Sequence, residues 1–337
     1  MELNHFRSGP AQSWLLDLML GPVRWQLLRS GFELRIFDCL AAPKTASQLA
    51  ENLDFKAEKV TVLLDALTGL GVLEKARGKY RLLETLEPFL ISDSRQSMRE
   101  MLLHLARVKH CDMDDILNVL KTGESEHVSA DFARPEFWDR AVGNLRSFHA
   151  SCSNRVALQL LQSLPEWERI TSVLDLGAGS ENLAVSLAEE HPHLKIRVFD
   201  LEPCASRIRS AISPLYSQQI AVVAGDYNHD PLPQHTDLIW ASMSLYYAKD
   251  LTLLLSELRD SLNEQGMLVC LHEGLTAERT EPEHHVVGRF VPALNGVDVS
   301  FNHGDIAKAM TRAGFTRVLS RSIDTLYGPM ELDIGYK

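Results

Sequence analysis

Apolar residues recur at helical spacing along the first forty positions: Trp14, Leu15, Leu18 and Met19, then Leu27, Leu28, Phe32, Leu34, Phe37 and Leu40. This predicts helices over 11–42. Pro43-Lys44 breaks the pattern. Thr45-Ala46-Ser47-Gln48 has the spacing of a capping box, in which hydroxyl and amide side chains satisfy each other's backbone N–H groups, and it opens a short helix through Leu53. A second amphipathic helix runs from Lys56 to Leu70 and carries Val60, Leu63, Leu64 and Leu67 on one face. Gly71 to Lys75 and Lys79 to Leu82, parted by Gly78, read as a hairpin. Helix, turn, helix and hairpin make a winged-helix pattern. Residues 95–165 read as helical and connecting. Phe137-Trp138 and Phe148-His149 stand there either as core or as the roof of a ligand pocket.

From Thr171 the period changes. VLDLG, KIRVFDLE, IAVVAGD, DLIWASM and Gly266 to Glu273 read as buried strands. Helices are expected at Asn182–Glu190, Leu251–Leu262 and Ile306–Ala313, and RVLSRSI with MELDIGY forms a terminal hairpin. Strands alternating with helices call for an α/β fold, a mainly parallel sheet covered by helices on both faces. Ligands of such sheets bind at the carboxyl ends of the strands.

Composition narrows the function. The 337 residues are enough for two domains, and 45% apolar with 23% charged residues is a soluble globular profile. A net charge of −11 opposes nucleic acid or an anionic membrane as main partner. The first winged-helix function to weigh, DNA binding, is opposed also by the apolar second helix KAEKVTVLLDALTGL, which is poor in base-reading side chains. Cys39, Cys111, Cys152, Cys204 and Cys270 are scattered without a C-x-x-C, as expected of reduced buried thiols in a cytoplasmic protein. The N-terminus MELNHFRSGP does not read as a signal peptide, and the apolar run Trp14 to Leu20 is too short to span a bilayer.

Candidate chemistry gathers at the strand ends. Asp175-x-Gly177-x-Gly179 closes the first strand, where glycines let backbone approach a ligand. Asp200 ends the second strand 25 positions after Asp175, where a carboxylate holds ribose hydroxyls. Gly225-Asp226-Tyr227 follows the third strand and suits an adenine amino group and ring. Ser242 lies in the segment Trp240 to Tyr247 after the fourth. An NAD site would place its third glycine at Asn182, and so fails there. His272, Glu273, His284 and His285 lack a recognised metal spacing, so no metal is expected.

In these motifs the chain resembles the class I S-adenosylmethionine-dependent methyltransferases, and more narrowly the small-molecule O-methyltransferases with an N-terminal winged-helix dimerisation domain. The resemblance runs from Phe37-x-x-Leu40 and Thr45-x-x-Gln48-Leu49-Ala50 to the terminal hairpin. VLDLGAG resembles the family's D-x-G-G-G loop, Asp200-Leu201-Glu202-Pro203 its D-L-P, and GDYNHDPLP its G-D-F-F…L-P. It implies a Rossmann-like seven-stranded methyltransferase domain over 166–337, a helical connector lining the pocket over 101–165 and a dimerisation domain over 1–100. It also implies S-adenosyl-L-methionine as cofactor, bound by Asp175, Gly177, Gly179, Asp200, Leu201, Asp226, Tyr227 and Ser242. The partners are a small-molecule substrate and a second copy in a homodimer, each dimerisation domain helping to line its partner's pocket.

Two positions depart from the family. Glu181 replaces its third glycine; a negative charge suits the first turn of a helix, and a tolerated surface residue is expected. Tyr246 replaces the catalytic His of its L-H-D-W segment. A tyrosine with a pKa of about 10 is a poor base near neutrality, so Tyr246 is expected to orient the acceptor or stabilise an anion. His272 and His285 are the candidates to take the proton, with one of His284 and His285 solvated. A similar Tyr occurs in the bacteriochlorophyllide C-20 methyltransferase branch, which opens C-methylation as well as O-methylation. The acceptor is expected to be a small aromatic or enol-like metabolite. The alternatives are a non-methylating relative, hydroxylase or pericyclase-like, that uses the cofactor structurally, and a winged-helix regulator.

Overall fold

The computed structural model describes residues 10–110, 112–123 and 135–337. The expectations for Cys111 and for the first nine positions lie outside these residues. The chain divides into two compact units, Met1–Leu103 and His104–Lys337.

The first unit holds α1 (Pro10–Glu33), α2 (Ile36–Cys39), β1 (Lys44–Thr45), α3 (Ala46–Leu53), α4 (Ala57–Gly69), β2 (Leu73–Ala76), β3 (Lys79–Leu82) and α5 (Glu87–Leu90). The capping box forms as its spacing predicts: Thr45 accepts from the Gln48 backbone N–H, and the Gln48 side chain accepts from the N–H of Thr45. β1, β3 and β2 form one antiparallel sheet. The apolar faces of α3 and α4 bury Leu49, Val60, Leu64 and Leu67 with Phe32, Phe37 and Leu82 in a single core. α1 leaves Trp14, Leu15, Leu18, Met19 and Val23 exposed.

α6 (Arg99–Val108) spans the boundary, and α7 (Met113–Thr122) follows. α8 (Pro135–Phe148) runs through a π-helical turn at His149–Ser153 into α9 (Asn154–Gln162). The elements then alternate: β4 (Ser172–Leu176), α10 (Asn182–Glu190), β5 (Lys195–Asp200), α11 (Glu202–Ala211), β6 (Ile220–Ala224), β7 (Thr236–Ser242), α12 (Leu251–Ser261) and β8 (Leu262–His272). The short strands β9 (Gly274–Leu275) and β10 (Phe301–Asn302) pair with each other. Between them lie α13 (Glu283–Gly288) and α14 (Phe290–Leu294), and α15 (Asp305–Arg312), β11 (Arg317–Thr325) and β12 (Gly328–Tyr336) close the chain.

The seven-stranded sheet has the order β11-β12-β8-β7-β4-β5-β6. β8, β7, β4, β5 and β6 are mutually parallel, and β12 is antiparallel to β8 and β11. Alternate strand residues enter two cores: Val173, Val198, Leu238 and Val269 on one face, Leu174, Phe199, Ile239 and Leu268 on the other. Burial on both faces explains why these strands read as unbroken apolar runs. β8 begins at Leu262, ahead of the expected Gly266, because Leu262 pairs with Thr236 across an irregularity between Thr236 and Leu238. The described cysteines are free thiols: Cys204 and Cys270 are buried as expected, but Cys39 and Cys152 only partly. No helix among the described residues is long and apolar enough to cross a membrane.

Candidate active site

The chain leaves β4 for β5 and β6 on one side and returns to β7 on the other. The loops after β4 and β7 therefore part at a switch point, where an open α/β sheet has its ligand crevice. A cleft opens there, lined by Asp175 from the end of β4, Gly177 and Ala178 from the loop after it, Trp240 and Ser242 from β7, and His149, Ser153 and Asn154 where the π-helical turn enters α9. Gly177 has φ +67°, and a Cβ built on it would lie 2.6 Å from Cβ of Ser244. Gly179 has φ +66°, and its Cβ would lie 2.9 Å from Leu145 Cδ1 and 3.6 Å from His149 Cε1. Both positions need glycine for conformation and for space.

Asp200 is 7% exposed. Its carboxylate accepts from the Gly179 N–H and the Leu201 N–H, each at 2.8 Å. Burial raises its pKa while these N–H groups lower it. Asp175, 5% exposed, is pushed up to about 8 by burial and then by the neighbouring charge of Asp200. Leu201 is the N-cap residue of α11. Asp226 accepts from the backbone and side chain of Asn228, and the Tyr227 hydroxyl donates to the Ser244 carbonyl at 2.7 Å. The loops after β6 and β7 are thus tied together. Burial, more than its neighbours, raises the Tyr227 phenol.

Glu181 differs from the expected surface residue. Its side chain is 15% exposed and its carboxylate accepts from Arg146 Nε at 2.9 Å. Arg146 also donates to the Arg207 carbonyl, and its own carbonyl accepts from Asn182, so the pair ties α8 to the start of α10. One turn on, His149 Nδ1 lies 2.6 Å from Ser180 Oγ. Burial pulls its pKa down to about 4, so the imidazole is neutral near pH 7.

Tyr246 lies in the turn Leu245–Tyr247 after β7. Its ring is edge-on to His272 at 5.1 Å, stacked on Phe301 at 5.5 Å, and has the Arg289 guanidinium 4.8 Å from its centre. Arg289 pairs with Glu273 at 2.6 Å. His272 is fully buried, and its Nε2 accepts from the backbone N–H of Ser244 at 3.2 Å and of Leu245 at 3.1 Å. Burial, with the Arg289 charge behind it, pulls its pKa down to about 3. The expectation that His272 takes a proton thus meets a ring whose free lone pair is already engaged. His285 is buried and its Nε2–H donates to the Pro329 carbonyl at 2.5 Å. His284 is the exposed member of the pair. Arg289, Arg146 and Tyr327 lay outside the sequence expectations. For Arg289 there was one signal, a lone cation in the apolar stretch VVGRFVPAL.

The O-methyltransferase domain model matches residues 140–316, and the O-methyltransferase dimerisation domain model matches 16–91. The chain is 26% identical to the N,N-dimethyltransferase OxyT of Streptomyces rimosus over 93% of each protein. It is 28% identical to aclacinomycin 10-hydroxylase RdmB of Streptomyces purpurascens over 79% of this chain and 72% of that one. Among solved structures, human N-acetylserotonin methyltransferase in complex with S-adenosylmethionine shares the fold, with a TM-score of 0.78 at 21% identity over 100% of this chain and 99% of that one. The chain belongs to the S-adenosylmethionine-dependent O-methyltransferases and carries that family's catalytic and dimerisation domains.

Proposed function

We propose that the protein transfers the methyl group of S-adenosylmethionine to an oxygen, or to a nucleophilic carbon, of a small aromatic or enol-like metabolite, and that it works as a homodimer. The observation that carries this reading is the glycine cradle at the switch point: two positive-φ glycines with no room for a side chain, and a buried carboxylate bonded to the second.

The residues fit an adenosyl cofactor. Asp200 retains lone pairs beyond those met by the Gly179 and Leu201 N–H groups, and these suit two ribose hydroxyls. Asp226 and Tyr227 would face the base, Leu201 would pack on it, and Asp175, Gly177, Gly179 and Ser242 would hold the amino-acid end. The bound cofactor supplies an electrophilic methyl whose C–S electron pair stays with sulfur as the new bond forms. The chain's own contribution is alignment, worth up to about 7–11 kcal/mol, against roughly 10²–10⁴-fold for a general base. His272 then acts through Tyr246 as a positioning residue, because its Nε2 fixes the turn on which Tyr246 stands. Tyr246 orients the acceptor, and His285 is the candidate base. The exposed apolar face of α1 in the dimerisation domain suits a second copy.

A second reading rests on the missing histidine and on the similarity to a hydroxylase: the cofactor would be held without giving up its methyl. Calorimetry with S-adenosylmethionine and S-adenosylhomocysteine, followed by transfer of a labelled methyl group to phenolic and enolic acceptors, separates the two. We expect binding of both ligands and label in the product. Binding without transfer to any acceptor would favour the second reading, and no binding would sink both.

A further inference from the structure

Five polar atoms at the Tyr246 end of the site are buried without a hydrogen-bond partner among the described residues: Ser244 Oγ, Tyr246 Oη, His272 Nδ1, Glu273 Oε2 and Tyr327 Oη. Folded proteins leave few such groups, and each costs about 1–3 kcal/mol while unmet. These five are neighbours. Tyr246 packs on His272, Glu273 follows His272 in the chain, and Tyr327 interacts electrostatically with Glu273 and lies edge-on to Phe148 at 5.2 Å. Ser244 touches the glycine loop at Gly177, so the group borders the cofactor cleft.

The set is rich in donors. With Nε2 accepting two backbone N–H groups, the proton of neutral His272 sits on Nδ1, which can only donate. Arg289 can only donate. It spends one nitrogen on Glu273 and is 23% exposed. Lys109 Nζ reaches the same segment, 3.4 Å from the point where a side chain on Gly288 would begin. Tyr247 also feels the Arg289 charge. His284, pushed down by burial and then by His285 and Lys109, adds no negative charge. The carboxylate of Glu273 is the one anion that faces Arg289 among these groups, and Arg289 already holds one of its oxygens.

We propose that Arg289 sets the acceptor specificity of this enzyme. The acceptor binds as an oxyanion, an acidic phenol or enol ionised at its reacting oxygen, which meets the Arg289 guanidinium and the Tyr246 hydroxyl. Such an acceptor brings no proton to be removed, which accounts for a site that has Tyr246 where the family resemblance implies a histidine. The inference rests on the methyl-transfer reading for what the acceptor is used for, but its test needs no turnover.

The probes are 4-nitrocatechol and 2-hydroxy-1,4-naphthoquinone, whose neutral and ionised forms differ in colour. Each is titrated with pH in the presence of excess protein and S-adenosylhomocysteine. We expect the bound probe to ionise at least tenfold more readily than the free one, about one pH unit lower. Arg289→Gln should remove most of that shift, Tyr246→Phe a smaller part, and Arg289→Lys should keep most of it. An unchanged or raised probe pKa on binding, no binding of either probe, or an equal shift in Arg289→Gln would overturn the proposal. If Arg289→Gln does not fold, the ranking of Arg289→Lys above Tyr246→Phe decides, and the reverse ranking overturns it. A lowered probe pKa without any methyl transfer would sink the methyl-transfer reading alone.

Discussion

At the glycine loop both oxygens of Asp200 have a backbone N–H against them, and the Tyr227 hydroxyl is fixed on a carbonyl. A few residues on, beyond Ser244, the hydroxyls, the imidazole N–H and one carboxyl oxygen stand unmet. The two regions adjoin where Ser244 meets Gly177 and are built from loops of one sheet. The difference teaches which part is complete in the protein alone. The proposed cofactor end is preorganised by its own backbone, so its ligand has little ordering to pay for. The proposed acceptor end holds polar groups at a cost in stability that a ligand would repay, a common compromise where function overrides packing.

The largest expected effect attacks the preorganised end. In Gly177→Ala the new Cβ would stand 2.6 Å from Ser244 Cβ, in a backbone conformation with φ +67° that costs an L-residue about 1–2 kcal/mol. Cofactor affinity should fall by about 10²-fold or more, about 2.8 kcal/mol, with the far-ultraviolet circular dichroism retained. Near-native affinity in calorimetry would show that this loop is not the cofactor cradle.

The next effect contrasts two neighbours at the other end. His272→Ala leaves the N–H groups of Ser244 and Leu245 without an acceptor and opens a buried hole. A loss of about 3 kcal/mol is expected, from about 1–3 kcal/mol per unmet group. Tyr246→Phe removes a buried hydroxyl that has no partner, so stability should hold or rise, by at most about 1–3 kcal/mol. Thermal unfolding reads both, at about 2–4 °C per kcal/mol in a domain of this size. Equal losses would mean that the Tyr246 hydroxyl is engaged after all, and the contrast between the two ends would fail.

Much of the fold is legible in the sequence because local pattern decides it. VLDL and KIRVFD are apolar throughout since both faces of their strands are covered, and Thr45 with Gln48 marks a helix start by side-chain reach alone. The site is less legible. Glu181 looked like a substitution without a partner because Arg146, which holds it, lies 35 residues earlier on another helix. Arg289 and Tyr327 become meaningful only when α13, α14 and the terminal hairpin come to the end of β8. The role of His272 was hidden for a different reason. Its position at a strand end is visible, but the direction of its hydrogen bonds depends on where the turn after β7 folds back.

The last expected effect is a pH dependence on the preorganised side, and its sign follows from Asp175. Its pKa stands at about 8 in the folded protein, against about 3.9 in an unfolded chain. Between pH 4 and 8 the folded state therefore binds more protons than the unfolded state, and this group's contribution to stability falls as pH rises. A cationic ligand reverses the balance, since a sulfonium and an ammonium favour the ionised carboxylate and lower its pKa. Binding of S-adenosylmethionine should then release a proton below pH 8 and tighten with rising pH. The limit is about tenfold per pH unit between pH 6 and 8, with a plateau above. S-adenosylhomocysteine, without the sulfonium charge, should show a shallower slope, and Asp175→Asn should show none from this group. Calorimetry in buffers of different ionisation enthalpy counts the proton directly. A flat profile, or the same slope in Asp175→Asn, would place the ligand's charge away from Asp175. The cofactor end would then be preorganised in shape without being preorganised in charge.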